Sequence, residues 1–325
     1  MTESTLDQST RFASIRQNAF TEEVWMKAAA PVALLIAFVT FSILSPYFLT
    51  WRNVNGMLAD AAIAVLLACG MTFAVMLAGI DLSMAATLAL GSVVFGISYT
   101  NGWGVWISSL LAVGVGLVVG LLNGIFVGWV RIPDMIVTLA TMGLVQGIGL
   151  IVSGGIPVPI SDPLLDTISS KSVGILRLNI LIVLVVAVLL QVLLTRMPIG
   201  THLLAVGDSM DASKAMGLNV PATKLAGYMI CGAMSGLASI FMVLYIGSSQ
   251  PATNTDYVMK AVAATVLGGT SLFGGRATVW GPVLGAVLLT VLQTGLTMVG
   301  VQAFYEPAVV GIVVLAAATL MRGRK

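Results

Sequence analysis

Charged positions along the chain divide it into long apolar intervals, and those intervals set the first expectation. A helix needs roughly 20 apolar residues to cross a bilayer whose hydrocarbon core is about 30 Å thick. The intervals between Lys27 and Arg52, Asp60 and Asp81, Asp134 and Asp162, Arg177 and Arg196, and Lys224 and Asp256 each hold one such helix. Leu82 to Val130 carries no charge and is long enough for two, with Asn101-Gly102-Trp103-Gly104 supplying turn chemistry between them. Beyond these seven the pattern is less regular. Ala261 to Gly275 is short and ends in glycines, Ala277 to Tyr305 is a full span, and Pro307 to Met321 is a marginal one. The pattern predicts an all-α, polytopic membrane protein of about ten transmembrane helices with broken or re-entrant segments. A cytosolic tail over residues 1–27 precedes a single transmembrane domain over 28–325.

Glycine is the second pattern. Gly116, Gly120, Gly124 and Gly128 recur every four residues and stack on one helix face, where a neighbouring helix can come backbone to backbone. That face reads as a packing seam, with the lining of a path as the alternative. Two glycine clusters break helices instead. In Gly79-Ile80-Asp81-Leu82-Ser83 the acid and the hydroxyl read as a helix N-terminus. An acid at that depth avoids lipid, so Asp81 and Ser83 serve either as a cap or as a gate on a transport path. The second cluster, Gly268 to Arg276, reads as a mobile turn; no strand precedes it and no Gly-Lys-Ser/Thr follows, so it is not a phosphate loop.

Composition sharpens this picture. Over 325 residues, 58% are hydrophobic and only 9% charged, with a mean hydropathy of +1.04; soluble domains carry about 25% charged residues. A net charge of +2 leaves no field for nucleic acid. Two cysteines and one histidine make no closed zinc site, so neither metal nor cofactor is expected. Orientation follows from Lys and Arg, which stay on the cytosolic side in short loops. Ten spans with the N-terminus inside put eleven of the fifteen Lys and Arg on the inner side, leaving Arg52, Lys171, Arg177 and Lys260 outside. Both termini are then cytosolic.

The longest inner connection, 196–223, is patterned as a short helix. Asp208 can cap it, Asp211 sits in its first turn, Lys214 near its last, and Gly217 past its end. Ala212, Ala215 and Met216 share one face, suited to docking in a groove on another protein or to lying on the chain's own surface. The outer loop 154–177 carries Pro157, Pro159 and Pro163 and is long enough to be a docking surface. No P-loop, no G-x-S-x-G elbow and no His-Glu-x-x-His occur, so the chain neither uses ATP unaided nor reads as an enzyme. Intramembrane charges are sparse, which suits a neutral, hydroxyl-rich substrate on a path lined by polar side chains, with Asp81, Ser83, Thr138, Thr141 and Gln250 as candidates.

These motifs together resemble the permease subunits of bacterial ABC importers of the ribose/xylose/arabinose/galactose class. The resemblance covers nearly the whole chain beyond the tail. It is carried by Gly70-Met71-Thr72, Gly79 to Ser83, Asn123-Gly124, Pro133 to Thr141, Ala205-Val206-Gly207 with Ala212 and Gly217, Gly247 to Pro251, and Leu267 to Arg276. Met84-Ala85-Ala86 departs from the family, which commonly has a small residue and glycine there. The resemblance implies a second permease copy, identical or not, a separate ATPase subunit, a periplasmic or extracellular sugar-binding protein, and residence in the bacterial inner membrane. It also implies that Gly207, Asp208, Ala212, Ala215, Met216 and Gly217 belong to the coupling segment that docks on the ATPase. A permease for another polar solute, such as a branched-chain amino acid, and an ion-coupled secondary carrier are the competing expectations.

Overall fold

The computed structural model describes residues 30–173, 176–252, 255–312 and 315. The expected cytosolic tail, most of the last expected span and the C-terminal Arg322, Arg324 and Lys325 lie outside the described residues. Within them the chain is helical apart from a two-residue hairpin, β1 (Ser172–Val173) with β2 (Leu176–Arg177). Six helices are long and apolar enough to cross a membrane among the described residues. One of the six is a 47-residue run, Met84–Val130. It is broken at Gly102 and Gly104, whose φ angles of +83° and +72° no side-chain-bearing residue adopts cheaply. The break separates α3 (Met84–Ser98) from α4 (Gly104–Ile125), which fold back against each other. The turn expected at Asn101-Gly102-Trp103-Gly104 is therefore where the run reverses.

The remaining elements follow in order: α1 (Ala30–Leu44), α2 (Trp51–Val75), α5 (Asp134–Ser153), α6 (Pro163–Ser170), α7 (Leu178–Arg196), α8 (Pro198–Asp208), α9 (Met210–Ala215), α10 (Val220–Ile246), α11 (Asp256–Leu267) and α12 (Trp280–Met298). Helix ends carry local signals. Thr50 accepts from the Asn53 amide to start α2, and Asn219 accepts from the Ala222 amide to start α10 with Pro221 in its first turn. Left-handed Gly154 and Gly247 end α5 and α10.

α2 is the axis of the molecule. From Ala61 to Val75 every residue is buried, so this helix is apolar on all sides, as a helix enclosed by others must be. It packs on α7, α10, α11 and α12, and α10 continues outward to pack on α3 and α4. α1, through Phe41, and the turn after it, through Phe48, lie against α2 and α12. α11 has 12 residues, about 18 Å at 1.5 Å per residue, so it covers only part of a bilayer. The chain then runs as the loop 268–279 before α12, so the expected eighth segment, Ala261 to Gly275, divides between the end of α11 and this loop.

Candidate functional site

Three constructions concentrate the polar and glycine chemistry. The first is the seam. The Cα of Gly116 faces the backbone of Gly232 and Gly236, Gly120 faces Tyr228 and Met229, Gly124 faces Leu225, and Gly128 faces Pro221. A Cβ built on Gly116 would lie 2.1 Å from the Gly232 carbonyl oxygen, and one on Gly120 2.3 Å from that of Tyr228. All four glycines therefore meet α10 of the same chain, and α10 answers with Gly232 and Gly236.

The second is a buried knot at the break after α2. Ala78 has φ +59°, a left-handed conformation costing an alanine about 1–2 kcal/mol, and it turns the chain out of α2. Next, the Ile80 amide donates to Asp134 Oδ2 at 2.7 Å, and its carbonyl accepts from the Thr138 hydroxyl at 3.1 Å. The first turn of α5 thus holds both backbone groups of Ile80. Asp81 is 1% exposed. Its Oδ1 accepts from the Ser83 amide at 2.9 Å and the Ser83 hydroxyl at 2.5 Å, while Asn123 Nδ2 reaches Ser83 Oγ at 2.9 Å and Asp81 more loosely. Cys231 of α10 is buried in the same surroundings. Among the described residues the Ser83 amide is the backbone donor to Asp81, and side chains of Ser83 and of Asn123 on α4 supply the rest. Tyr228 closes the knot from α10, its hydroxyl buried without a partner among the described residues and 2.5 Å from where a Cβ on Gly79 would stand.

The third is a three-way glycine junction at the same end of the bundle. The Gly275 amide donates to the Met76 carbonyl at 3.0 Å. A Cβ on Gly207 would lie 1.8 Å from that carbonyl oxygen, and one on Gly274 2.4 Å from the Gly207 carbonyl oxygen. The end of α2, the end of α8 and the 268–279 loop meet here through bare backbone. The loop is also tied within itself, Ser271 N–H to the Arg276 carbonyl and Thr270 N–H to the Thr265 carbonyl. These bonds give the turn expected to be mobile a defined shape in this structure.

The coupling segment departs from the sequence-based expectation in one respect. α8 runs through Asp208, so Asp208 ends a helix instead of capping the next. Ser209 caps α9, its hydroxyl accepting from the Ala212 amide. Gly217, at φ +81°, stands past the end of α9 as expected. Ala212, Ala215 and Met216 are exposed, Met216 at 70%, and Ser213 is the buried residue of the turn. Asp211 and Lys214 pair on its surface at 3.8 Å.

The other expected path residues separate. Thr138 belongs to the knot. Thr141 is buried one turn further along α5. Gln250 lies at the opposite end, where its amide donates to Ser92 Oγ and its side chain borders a small cavity with Tyr257 and Met242. The loop 154–177 folds over that end: Val158 and Ser249 exchange bonds, the Ile160 amide donates to the Gly247 carbonyl, and Tyr99 donates to Asp162 at 2.9 Å. The sequence pattern assigns no role to Asn123, Asp134 or Tyr228. Asp60 and Lys260 are legible in it only as opposite charges near the outer ends of two apolar segments; they pair at 3.8 Å, with Lys260 over the Tyr257 ring. Among the described residues no cluster of His, Cys, Asp and Glu could hold a metal.

A sequence model of the family described as branched-chain amino acid transport system, permease component, matches residues 53–318. The chain belongs to this permease family. Among curated proteins it is 31% identical to the D-allose transport system permease protein AlsC of Escherichia coli K12 over 92% of each chain. It is 32% identical to the ribose import permease protein RbsC of the same strain, over 92% of this chain and 94% of that one. The autoinducer 2 import system permease protein LsrC of Salmonella typhi is 31% identical over 89% and 83% respectively. No solved structure matches. With six membrane-length helices, the permease is a multi-pass membrane protein.

Proposed function

We propose that this permease is the transmembrane subunit of an ATP-driven importer that carries a monosaccharide or similar polyol across the bacterial cytoplasmic membrane. The observation that carries the reading is near full-length likeness to permeases named for allose and ribose. The family description names branched-chain amino acids instead, and that is the second reading. The chain itself is not an enzyme in this proposal; ATP is hydrolysed by a separate subunit, and a sugar-binding protein delivers cargo from outside.

Ten spans are proposed, with both termini cytosolic. The reversal at Gly102 counts the Met84–Val130 run as two, and α1, the short α11 and a last helix starting at Glu306 supply three more. The junction end then faces the cytosol and the 154–177 loop faces out. On that orientation the exposed Ala212, Ala215 and Met216 face is the contact for the ATPase. A push on α9 passes to α8, and at Gly207 to the ends of α2 and of the 268–279 loop, which carries α11. Close backbone contact transmits displacement because no flexible side chain lies between the segments. The knot at Asp81 and Asp134 follows Met76 closely in the chain and is where that motion reaches α3 and α5. A second copy of the permease completes the path.

The test is reconstitution. With ATPase and binding protein, proteoliposomes should accumulate ribose or allose on ATP addition. Uptake of leucine in preference to either sugar selects the second reading, and accumulation by this chain alone under an ion gradient refutes both.

A further inference from the structure

We propose that the polar basin at the outer end of α2 binds the cargo directly, as a site for an uncharged polyhydroxy molecule the size of a monosaccharide. This inference rests on the transport reading above and adds to it a place. Two cavities of about 480 and 740 Å³ open on either side of the first turns of α2, with Arg52, Gly56 and Tyr245 as shared wall. Both volumes fall in the range of small-molecule sites. The first is walled by α2, α10 and α12; the second reaches Ser169 and Arg177 of the 154–177 loop, the surface facing a docked delivery protein.

Polar side chains are costly in a membrane helix and mark function when they gather on one face. Gln293, Thr294 and Thr297 do so on α12, lining the first cavity with Glu306. Gln293 Nε2 and the Thr297 hydroxyl both donate to Glu306. Gln293 Oε1 is buried with no donor among the described residues. A sugar hydroxyl supplies the donor that this oxygen lacks, and Tyr47 and Tyr245 add aromatic side chains to the wall.

Of the charges lining the basin, Asp60 is paired with Lys260, while Glu306 takes the Gln293 and Thr297 donors and keeps lone pairs for a further hydroxyl. Arg52 remains as a donor, which a neutral hydroxyl accepts as readily as a carboxylate does.

The experiment places a reporter in the wall. Thr294→Cys in the full-length permease, reconstituted in proteoliposomes, is labelled from outside with a membrane-impermeant maleimide; Cys69 and Cys231 are both buried. D-ribose or D-allose at tens of millimolar should slow labelling at least threefold, with leucine at equal osmolality without effect. Adding Gln293→Leu should remove the protection and leave the labelling rate itself unchanged. Thr297→Val serves as a second, smaller change should Gln293→Leu not assemble. An unlabelled Thr294→Cys, equal labelling with and without either sugar, or protection by leucine alone each overturns the site. ATP-driven sugar uptake by the complete importer, measured in parallel, separates the two claims: uptake without protection removes the basin and leaves the transport reading in place, whereas absence of uptake removes the transport reading.

Discussion

Glycine builds two contacts in this protein with different consequences. The α4–α10 seam repeats the same close approach at Gly116, Gly120, Gly124 and Gly128, so two helices are joined along more than three turns. At the junction the approach is as tight but is gathered at one place, where Met76, Gly207, Gly274 and Gly275 meet, instead of repeating along two helices. A contact repeated along a helix pair fixes their separation and register. A contact made at one point fixes neither, and lets one segment move the others about it. The seam is therefore suited to scaffold and the junction to transmission, although both are assembled from the same residue.

Substitutions can pull that distinction apart, and the largest effect is expected at the seam. Gly120→Leu adds four carbons where a Cβ alone already meets the Tyr228 carbonyl oxygen at 2.3 Å, with only backbone nearby to give way. Overpacking of this kind typically costs about 1–3 kcal/mol and more where backbone must shift. Membrane-inserted, monodisperse protein on size exclusion should be largely lost. Normal yield and thermal stability would mean that the seam tolerates separation.

At the junction, Gly207→Ala sets a Cβ 1.8 Å from the Met76 carbonyl oxygen and 2.8 Å from the Gly275 nitrogen, so α8 must draw back from both; because the disturbance is confined to this one place, the helices should still assemble, while transport and binding-protein-stimulated ATP hydrolysis fall by about tenfold, equivalent to roughly 1.4 kcal/mol of coupling. Thermal unfolding of the permease and ATP turnover of the complex separate the outcomes. A large fall in thermal stability with coupling retained would class the junction with the seam.

Beyond the junction, Ala212→Arg sets a long cation on the exposed face of α9. Surface substitutions usually change stability by about 0.5 kcal/mol or less, so expression should hold while co-purification of the ATPase drops. Unchanged co-purification would place the docking face elsewhere and leave the junction without an input.

The smallest effect is expected at the far end, in the tether of the 154–177 loop. Desolvation pushes the Asp162 carboxyl up, but the Tyr99 hydroxyl and the Leu164 and Leu165 amides donate to it and together hold it below the ordinary carboxylate range. A depressed folded value means that the tether is fully present above the ordinary Asp range, near pH 4, and is lost only as pH falls through the lowered value. Proteolysis of the loop by pepsin should accelerate below that range, and Asp162→Ala should remove most of the pH dependence. Equal pH dependence in the variant would show that another group controls the loop.

Much of this architecture is legible in the amino-acid order alone. Span length needs only a run of apolar residues, because the bilayer dictates how long such a run must be. The period of four in Gly116 to Gly128 needs only helix geometry to put its members on one face. Asn101-Gly102 marks the reversal because a left-handed turn selects glycine whatever surrounds it, and Gly217 marks the end of α9 for the same reason. What the seam meets is not legible: α10 begins 92 residues after Gly128, and nothing local to either helix names the other. Asp81 and Ser83 stand out as a capping pair, yet Asn123, Asp134 and Cys231, which complete their surroundings, come from α4, α5 and α10 and share no sequence pattern with them. The cap of α9 shows the same limit at close range. Asp208 and Ser209 are both good caps, and the tertiary structure decides between them by holding α8 helical to Asp208, where Gly207 meets Met76 and Gly275. Periodicity and turn chemistry act over a few residues and can be read one segment at a time, whereas the partner of a bare backbone or a buried carboxylate depends on which distant segments pack beside it.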